Sequence, residues 1–269
     1  MEAVKRNEVY DNAKKWILEA GATIREKIQD PLEVDFKSSP NDLVTTMDKE
    51  TEKYFVEKIK DLYSDHLILS EEGFGDQVDS LEGTVWIIDP IDGTMNFVQQ
   101  GRNFAISIGI YHEGVGEIGL IYNVMDDVLY SAKRGEGAYK NGEVLPDLPE
   151  HVDFNKAMIG LNHFWLCENR IVDEKVMQKL VRAVRGTRTY GSAALEFAYI
   201  AEGIMDGYIT MKLSPWDIAG GMVIVNEVGG VTSTVLGEDI NMVDSNSILV
   251  SHPSIRDTII NDYIKKGKK

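Results

Sequence analysis

Apolar residues recur near a 3.6-residue period over positions 4–29: Val4, Ala13, Trp16, Ile17, Ala20, Ile24 and Ile28 share one side of a helix, and Pro31 follows its end. A second helix is predicted from about Asp48 to Leu62, burying Tyr54, Phe55 and Ile59. Two strand-length apolar runs follow, His66–Leu69 and Val85–Ile88, and each ends in acid-bearing loop sequence. From Phe104 to Tyr139 the pattern is that of strands. Ala105–Tyr111 and Glu117–Tyr122 flank a turn at His112-Glu113-Gly114, Val128–Ala132 follows an Asp126-Asp127 turn, and Asn141-Gly142 signals another turn. Beyond it the pattern alternates: a strand at 157–161, helices near 172–184 and 192–201, and a strand at 208–211. A helix from Asp217 to Val228 then stops at Gly229-Gly230, with strands at 231–235 and 248–250 after it. Two units sharing one cleft, divided near Asn141, account for this order.

A chain of 269 residues that is 43% hydrophobic can bury a sizeable core. No apolar run reaches membrane-span length, and Met1–Arg6 lacks a signal peptide's apolar stretch, so no membrane partner is expected. The single cysteine, Cys167, excludes an internal disulfide and fits a reducing, cytoplasmic setting; its default is a small buried hydrophobe. A net charge of −16 disfavours nucleic acid as a partner. Lys265–Lys269 is the one basic cluster, predicted to be a solvated tail. Most of the 44 acids must be plain surface, so the informative ones are those placed where surface acids have no reason to be.

The segment Trp86-Ile87-Ile88-Asp89-Pro90-Ile91-Asp92-Gly93-Thr94 delivers Asp89 at the end of an apolar strand and Asp92 three residues on. Two such carboxylates repel unless a cation lies between them, and hard divalent cations such as Mg²⁺ take oxygen ligands of this kind. By itself the segment fits a turn as well as a metal site. Glu71-Glu72, at the exit of Leu67-Ile68-Leu69-Ser70, reads alone as solvated surface. Asp217 in Ser214-Pro215-Trp216-Asp217 fits a helix N-cap, although Gly220-Gly221 behind it suggest that something approaches that helix end closely. Gly114-Val115-Gly116-Glu117-Ile118-Gly119 spells a dinucleotide fingerprint, but Leu120-Ile121-Tyr122 continues as strand where that motif needs a helix, so a hairpin is predicted. The histidines show no metal-ligand spacing, and His163 is read as incidental.

Taken together, Asp89-Pro90-Ile91-Asp92-Gly93-Thr94, Trp216-Asp217-Ile218-Ala219-Gly220, Glu71-Glu72 and the Lys37–Asp48 segment resemble, in order and spacing, the motifs of the inositol monophosphatase family. Gly135-Glu136-Gly137-Ala138 and Asn141-Gly142 extend the likeness over nearly the whole chain. The resemblance implies an α+β / α/β layered sandwich (αβαβα) of the inositol monophosphatase / fructose-1,6-bisphosphatase type. Residues 1–141 would form an α+β unit carrying most metal ligands, and 142–269 an α/β unit completing the cleft. It implies a lithium-sensitive phosphomonoesterase that binds two to three Mg²⁺ ions and forms a homodimer. Glu71, Asp89 and the Ile91 carbonyl would hold one ion, Asp89, Asp92 and Asp217 a second, and Glu71 a loose third with Asp48 as positioning acid. Glu71 and Thr94 would be the general-base pair around the attacking water. Gly93 and Thr94 would offer amides to the phosphate, as helix starts do. Ser192 and Ala193 match the family's substrate-side helix start, where an N-cap role for Ser192 is the plain alternative. Lys37 is either a partner of the acids or ordinary surface.

One position departs from the family. Animal inositol monophosphatases carry a glutamate seven residues before the aspartate of the second motif, and here that position is Thr210. The expected substrate is a small phosphate ester: inositol phosphate, or another such as the 2′-phosphate of NADP or a sugar phosphate. A reading of a different class, a regulatory partner of the transcription machinery, is open to the same sequence, and phosphate release that EDTA abolishes separates the two.

Overall fold

The computed structural model describes residues 1–28, 34–36 and 43–267. Helix α1 (Ala3–Lys27) buries Ala13, Trp16, Ile17, Ala20 and Ile24 of the predicted stripe and Val9 besides, while Val4 in its first turn is exposed. Strands β1 (Val34–Phe36) and β2 (Leu43–Thr45) pair antiparallel ahead of α2 (Thr46–Leu62). A seven-stranded sheet follows in chain order: β3 (Leu67–Ser70), β4 (Thr84–Asp92), β5 (Ala105–His112), β6 (Val115–Asn123), β7 (Val128–Lys133), β8 (Ala138–Lys140) and β9 (Glu143–Val144), with helix α3 (Thr94–Gln100) between β4 and β5. Only its β3–β4 pair is parallel. The β5–β6 turn places Glu113 and Gly114 at positive φ, the two-residue hairpin that the fingerprint-like glycines were expected to form.

The second half adds β10 (Met158–Leu161), α4 (Glu174–Ala183), β11 (Gly186–Arg188), α5 (Ala193–Ala201), β12 (Gly207–Leu213), α6 (Pro215–Glu227), β13 (Val231–Ser233), β14 (Asn246–Ser251) and α7 (Pro253–Thr258). Its five strands are ordered β11-β10-β12-β14-β13, parallel from β11 to β12 and antiparallel beyond. Three apolar cores bind five layers. One joins α1 and α2 to the large sheet through Trp16, Phe55, Trp86 and Ile88. The middle core sets α5 and α6 between the two sheets through Val85, Ile87, Phe197, Ile224 and Val250. The last backs the small sheet with α4 and the C-terminal helical segment through Ile159, Leu180 and Ile259. The result is the helix–sheet–helix–sheet–helix sandwich that the resemblance implies.

Two expectations change. Lys265 and Lys266 are exposed, as expected of a basic end, but the backbone there is docked rather than free: it is helical to Gly267, whose carbonyl accepts the Asp173 N–H at 2.6 Å, after a π-helical stretch Ile259–Ile264 that buries three isoleucines. Cys167 is exposed rather than buried.

The Gly220-Gly221 pair is explained by packing rather than by a ligand. A Cβ on Gly220 would meet the carbonyl oxygens of Ile108 at 2.8 Å and Leu120 at 3.0 Å, and one on Gly221 would meet the Phe197 ring. Opposite them on the sheet, Gly109 and Gly119 also lack side chains, and α6 rests against β5 and β6 at backbone distance. Replacing Gly220 with valine forces carbon against backbone that cannot rotate away, so stability should fall by about 2 kcal/mol or more. Urea unfolding checks this; an unchanged or higher midpoint would show that α6 can lift off the sheet freely.

Candidate metal centre and substrate cleft

Strand β4 is buried at all nine positions, yet its last four include two acids. Residues three apart on a regular strand face opposite sides. Here Asp89 sits opposite Ser107 and Asp92 opposite Ala105, so three steps on β4 match two on β5. This bulge at Pro90-Ile91 brings both carboxylates to one side, and Pro90 suits it because it has no N–H to donate. Val85 and Ile87 share that side, which faces the middle helix layer.

Asp217 arrives from the third position of α6. Ser214 is the N-cap and Pro215 the first helical residue, so the helix starts ahead of the predicted Asp217 and the capping role passes to Ser214. Its N–H donates to Asp217 Oδ2 at 2.7 Å, which fixes the aspartate's rotamer. Carboxylate oxygens of Asp89, Asp92 and Asp217 all lie within 4.8 Å of one another. Burial first, then Glu71, Asp92 and Asp217, pushes the Asp89 carboxyl well above the usual range. Burial raises Asp217 in the same way, with Asp92 next in effect. Burial lifts Asp92 to about 6, opposed by the Ser192 hydroxyl and the amides of Ala194 and Ala193. Among the described residues, the charged groups that act most on Asp89 and Asp217 are carboxylates, so the set fits a hard divalent cation: oxygen donors, excess negative charge and fixed rotamers.

The groups from the first half assemble around this cluster. Asp48, fully buried, occupies in α2 the place Asp217 has in α6: its Oδ2 accepts the N–H of the N-cap Thr45 at 2.8 Å. Burial raises its pKa, the Thr45 bonds oppose this, and Glu71 adds to it. Glu71, at the β3 exit, thus acts on Asp48 as well as on Asp89, Asp92 and Asp217. The Thr94 hydroxyl stands between two acceptors, Asp48 Oδ1 at 3.2 Å and the Ile91 carbonyl at 3.1 Å. Gly93, just before α3, has φ of 94°, and a Cβ there would press on Gly191 and Ser192, so both conformation and space require glycine. Lys37 and the segment through Asp42 lie outside the described residues.

The second half closes the other side. Ser192 is the N-cap of α5, and its hydroxyl also donates to Asp92 Oδ2, which the Ala194 N–H reaches at 2.7 Å. The start of α5 therefore holds one of the three clustered aspartates directly. A cavity of about 240 Å³ opens beside it, lined by Asp92, Ser192, Ala193, Thr210, Asn162 and Lys212 among others, so Thr210 does share the cleft with the acids. Two residues here went unmarked in the sequence. Glu196, buried and raised by that burial to about 7, accepts the Tyr190 N–H at 2.9 Å. Asn96 donates to the carbonyls of Tyr190 and Asn103, at 2.7 and 2.8 Å. Asn96 braces the turn at 190–192 against the first half, and Glu196 holds the same turn from within α5. Their signal in the sequence is weak: an acid in an otherwise apolar helix and an asparagine in a short one.

Comparison with known proteins agrees with this geometry. The model of the inositol monophosphatase family matches residues 5–267. The inositol-1-monophosphatase of Bacillus subtilis is 53% identical over 261 residues, covering 97% of this chain and 98% of that protein. A staphylococcal inositol monophosphatase II superposes in its inositol monophosphate-bound structure with a TM-score of 0.86 at 41% identity, covering 96% of this chain and 94% of that one. Its 2′AMP-bound structure gives 0.88 at 42%, covering 96% and 95%. An IMPase/NADP phosphatase complexed with Mg²⁺ and phosphate gives 0.87 at 25%, covering 95% of each chain. Sequence, fold and site agree: the chain belongs to the inositol monophosphatase family and is a phosphoric monoester hydrolase.

Proposed function

We propose that the chain hydrolyses phosphate monoesters of small polyols, inositol phosphate first among them, by attack of water on phosphorus in a Mg²⁺-dependent site. The observation that carries this reading is the convergence of Asp89, Asp92 and Asp217 within 4.8 Å, with Asp92 lining the cavity beside them. Asp89, Asp92, Asp217, Glu71 and the Ile91 carbonyl would hold two to three ions, with Asp48 positioning the last. Mg²⁺ bound there supplies Lewis acidity toward the phosphate and an acidified water. The chain's own groups do the rest. Thr94 has one hydroxyl proton and two acceptors beside it, so its lone pairs face outward to accept from the attacking water. Glu71 takes the proton that this water loses. The amides of Gly93 and Thr94 receive the phosphate oxygens, and Ser192 and Ala193 border the alcohol side. The staphylococcal enzyme's inositol monophosphate complex and the B. subtilis enzyme's name both support this substrate class.

A second substrate has its own support. Thr210 is short and uncharged where an inositol-binding glutamate is expected, and the staphylococcal enzyme also binds 2′AMP, a ribose 2′-phosphate. The 2′-phosphate of NADP carries the same ester. We further propose a homodimer and a division of the chain near residue 141.

Phosphate release from inositol phosphate should require Mg²⁺, stop with EDTA and fall with Li⁺. Asp92→Asn and Asp217→Asn should each lower turnover about 10² or more, since each removes a charged group that would hold the metal. Full turnover after metal stripping, or near-normal rates in either variant at saturating Mg²⁺, contradicts the reading. Thr210→Glu should shift the ratio of kcat/KM for inositol phosphate over NADP by about 1–3 kcal/mol toward inositol phosphate, the worth of a charged hydrogen bond. An unchanged ratio means that position 210 does not read the alcohol.

A further inference from the structure

Helix α2 carries two fully buried acids one turn apart, Asp48 and Glu52. Asp48 faces Thr94 in the site above, whereas Glu52 has no part in it so far. Its Oε1 accepts from the Ser70 hydroxyl at 2.7 Å and the Phe74 N–H at 2.7 Å, and its Oε2 from the Glu72 N–H at 2.6 Å. A buried carboxylate is tolerated only when it is hydrogen-bonded, and three donors from five consecutive residues reach both of its oxygens. The chain from Ser70 to Phe74 is thereby wrapped around one carboxylate, with both neighbours of Glu71 tied to it.

Loop closure does not explain this arrangement, because the far end is closed by other means. The Asp76 N–H donates to the Ile68 carbonyl at 2.6 Å, and Asp76 Oδ2 accepts from the Ile68 N–H at 2.9 Å and Lys60 Nζ at 2.6 Å. What Glu52 fixes is the stretch bearing Glu71. One turn earlier on the same rigid helix, Asp48 meets the Thr94 hydroxyl at 3.2 Å.

We propose that Glu52 is a positioning residue of the hydrolytic reaction: it aims Glu71 through Ser70, Glu72 and Phe74, and with Asp48 it sets the spacing between Glu71 and Thr94. The inference rests on the proposed role of Glu71 as metal-holding group and base. Glutamine at position 52 keeps the shape but turns an NH₂ group toward a backbone N–H, which pushes the turn away.

The test is a double-mutant cycle of Glu52→Gln and Glu71→Gln, read as the Mg²⁺ concentration for half-maximal activity and the rate at saturating Mg²⁺. Glu52→Gln alone should raise the half-activating concentration about tenfold or more, the usual scale for a partner that orients a metal-holding group. In the Glu71→Gln background the same change should add less than about twofold, because its effect runs through Glu71. An equal penalty in both backgrounds, the mark of general destabilisation, overturns the proposal. If Glu71→Gln is impaired and Glu52→Gln is not, this inference fails and the proposed function stands. If Glu71→Gln changes neither quantity, the role of Glu71 fails and this inference with it. Should Glu52→Gln not fold, Ser70→Ala removes one donor and keeps the charge; it should give a smaller shift in the same direction that vanishes with Glu71→Gln, and no shift overturns the proposal.

Discussion

The fold is organised around a repulsion. Three aspartates from two segments more than a hundred residues apart are held with oxygens within 4.8 Å, and burial of Asp89 and Asp92 and half-burial of Asp217 limit the water that would screen their charges. Like charges this close do not stay together unless the backbone and its hydrogen bonds leave them nowhere else to go. Each aspartate is pinned accordingly: Asp89 Oδ1 by the Ile91 N–H at 3.0 Å, Asp92 by the start of α5, and Asp217 by the Ser214 N–H. The chain has folded as if the compensating charge were to come from outside.

That constraint accounts for the layer order. The bulge in β4 turns Asp89 and Asp92 toward the middle helices, and α5 and α6 must start there to meet them. Helix α6 can come close enough because Gly109 and Gly119 on the sheet face Ala219 and Gly220 on the helix. Helix α2 performs the matching task from the opposite side of the large sheet, with Asp48 and Glu52 on its buried face. Capping chemistry recurs at two ends of the site: Thr45 with Asp48 and Ser214 with Asp217 each join an N-cap to an acid three residues on, so the bond that starts the helix also aims a carboxylate.

Legibility in the sequence followed spacing. The α1 stripe, the β5–β6 hairpin and the α6 stop at Gly229-Gly230 are set by local periodicity and turn chemistry, and each stands near its expected place. Asp89, Asp92 and Asp217 were visible as acids at apolar strand and helix ends. Their mutual distance was not, because it depends on a bulge and on the pairing of two distant segments. The role of Gly220 needed the facing strand, and Glu52 needed the loop at 70–74, which local pattern does not place beside α2. The docking of the C-terminal segment escaped because its partner, Asp173, lies far along the chain.

The central claim is that the three aspartates are stable together only when protons or a divalent cation offset their charge. Burial and the neighbouring carboxylates hold these carboxyls above their ordinary range in the folded chain, Asp92 at about 6 and Asp89 and Asp217 well above the usual value. The stability they contribute is therefore present at low pH and lost as pH rises through those values. The direct measurement is the melting temperature of metal-free protein between pH 5.5 and 8, taken as the difference from Asp217→Asn, with and without Mg²⁺. The account predicts that wild type loses ground to the variant as pH rises and regains it when Mg²⁺ is added. A difference that is flat across this range and indifferent to Mg²⁺ would contradict it.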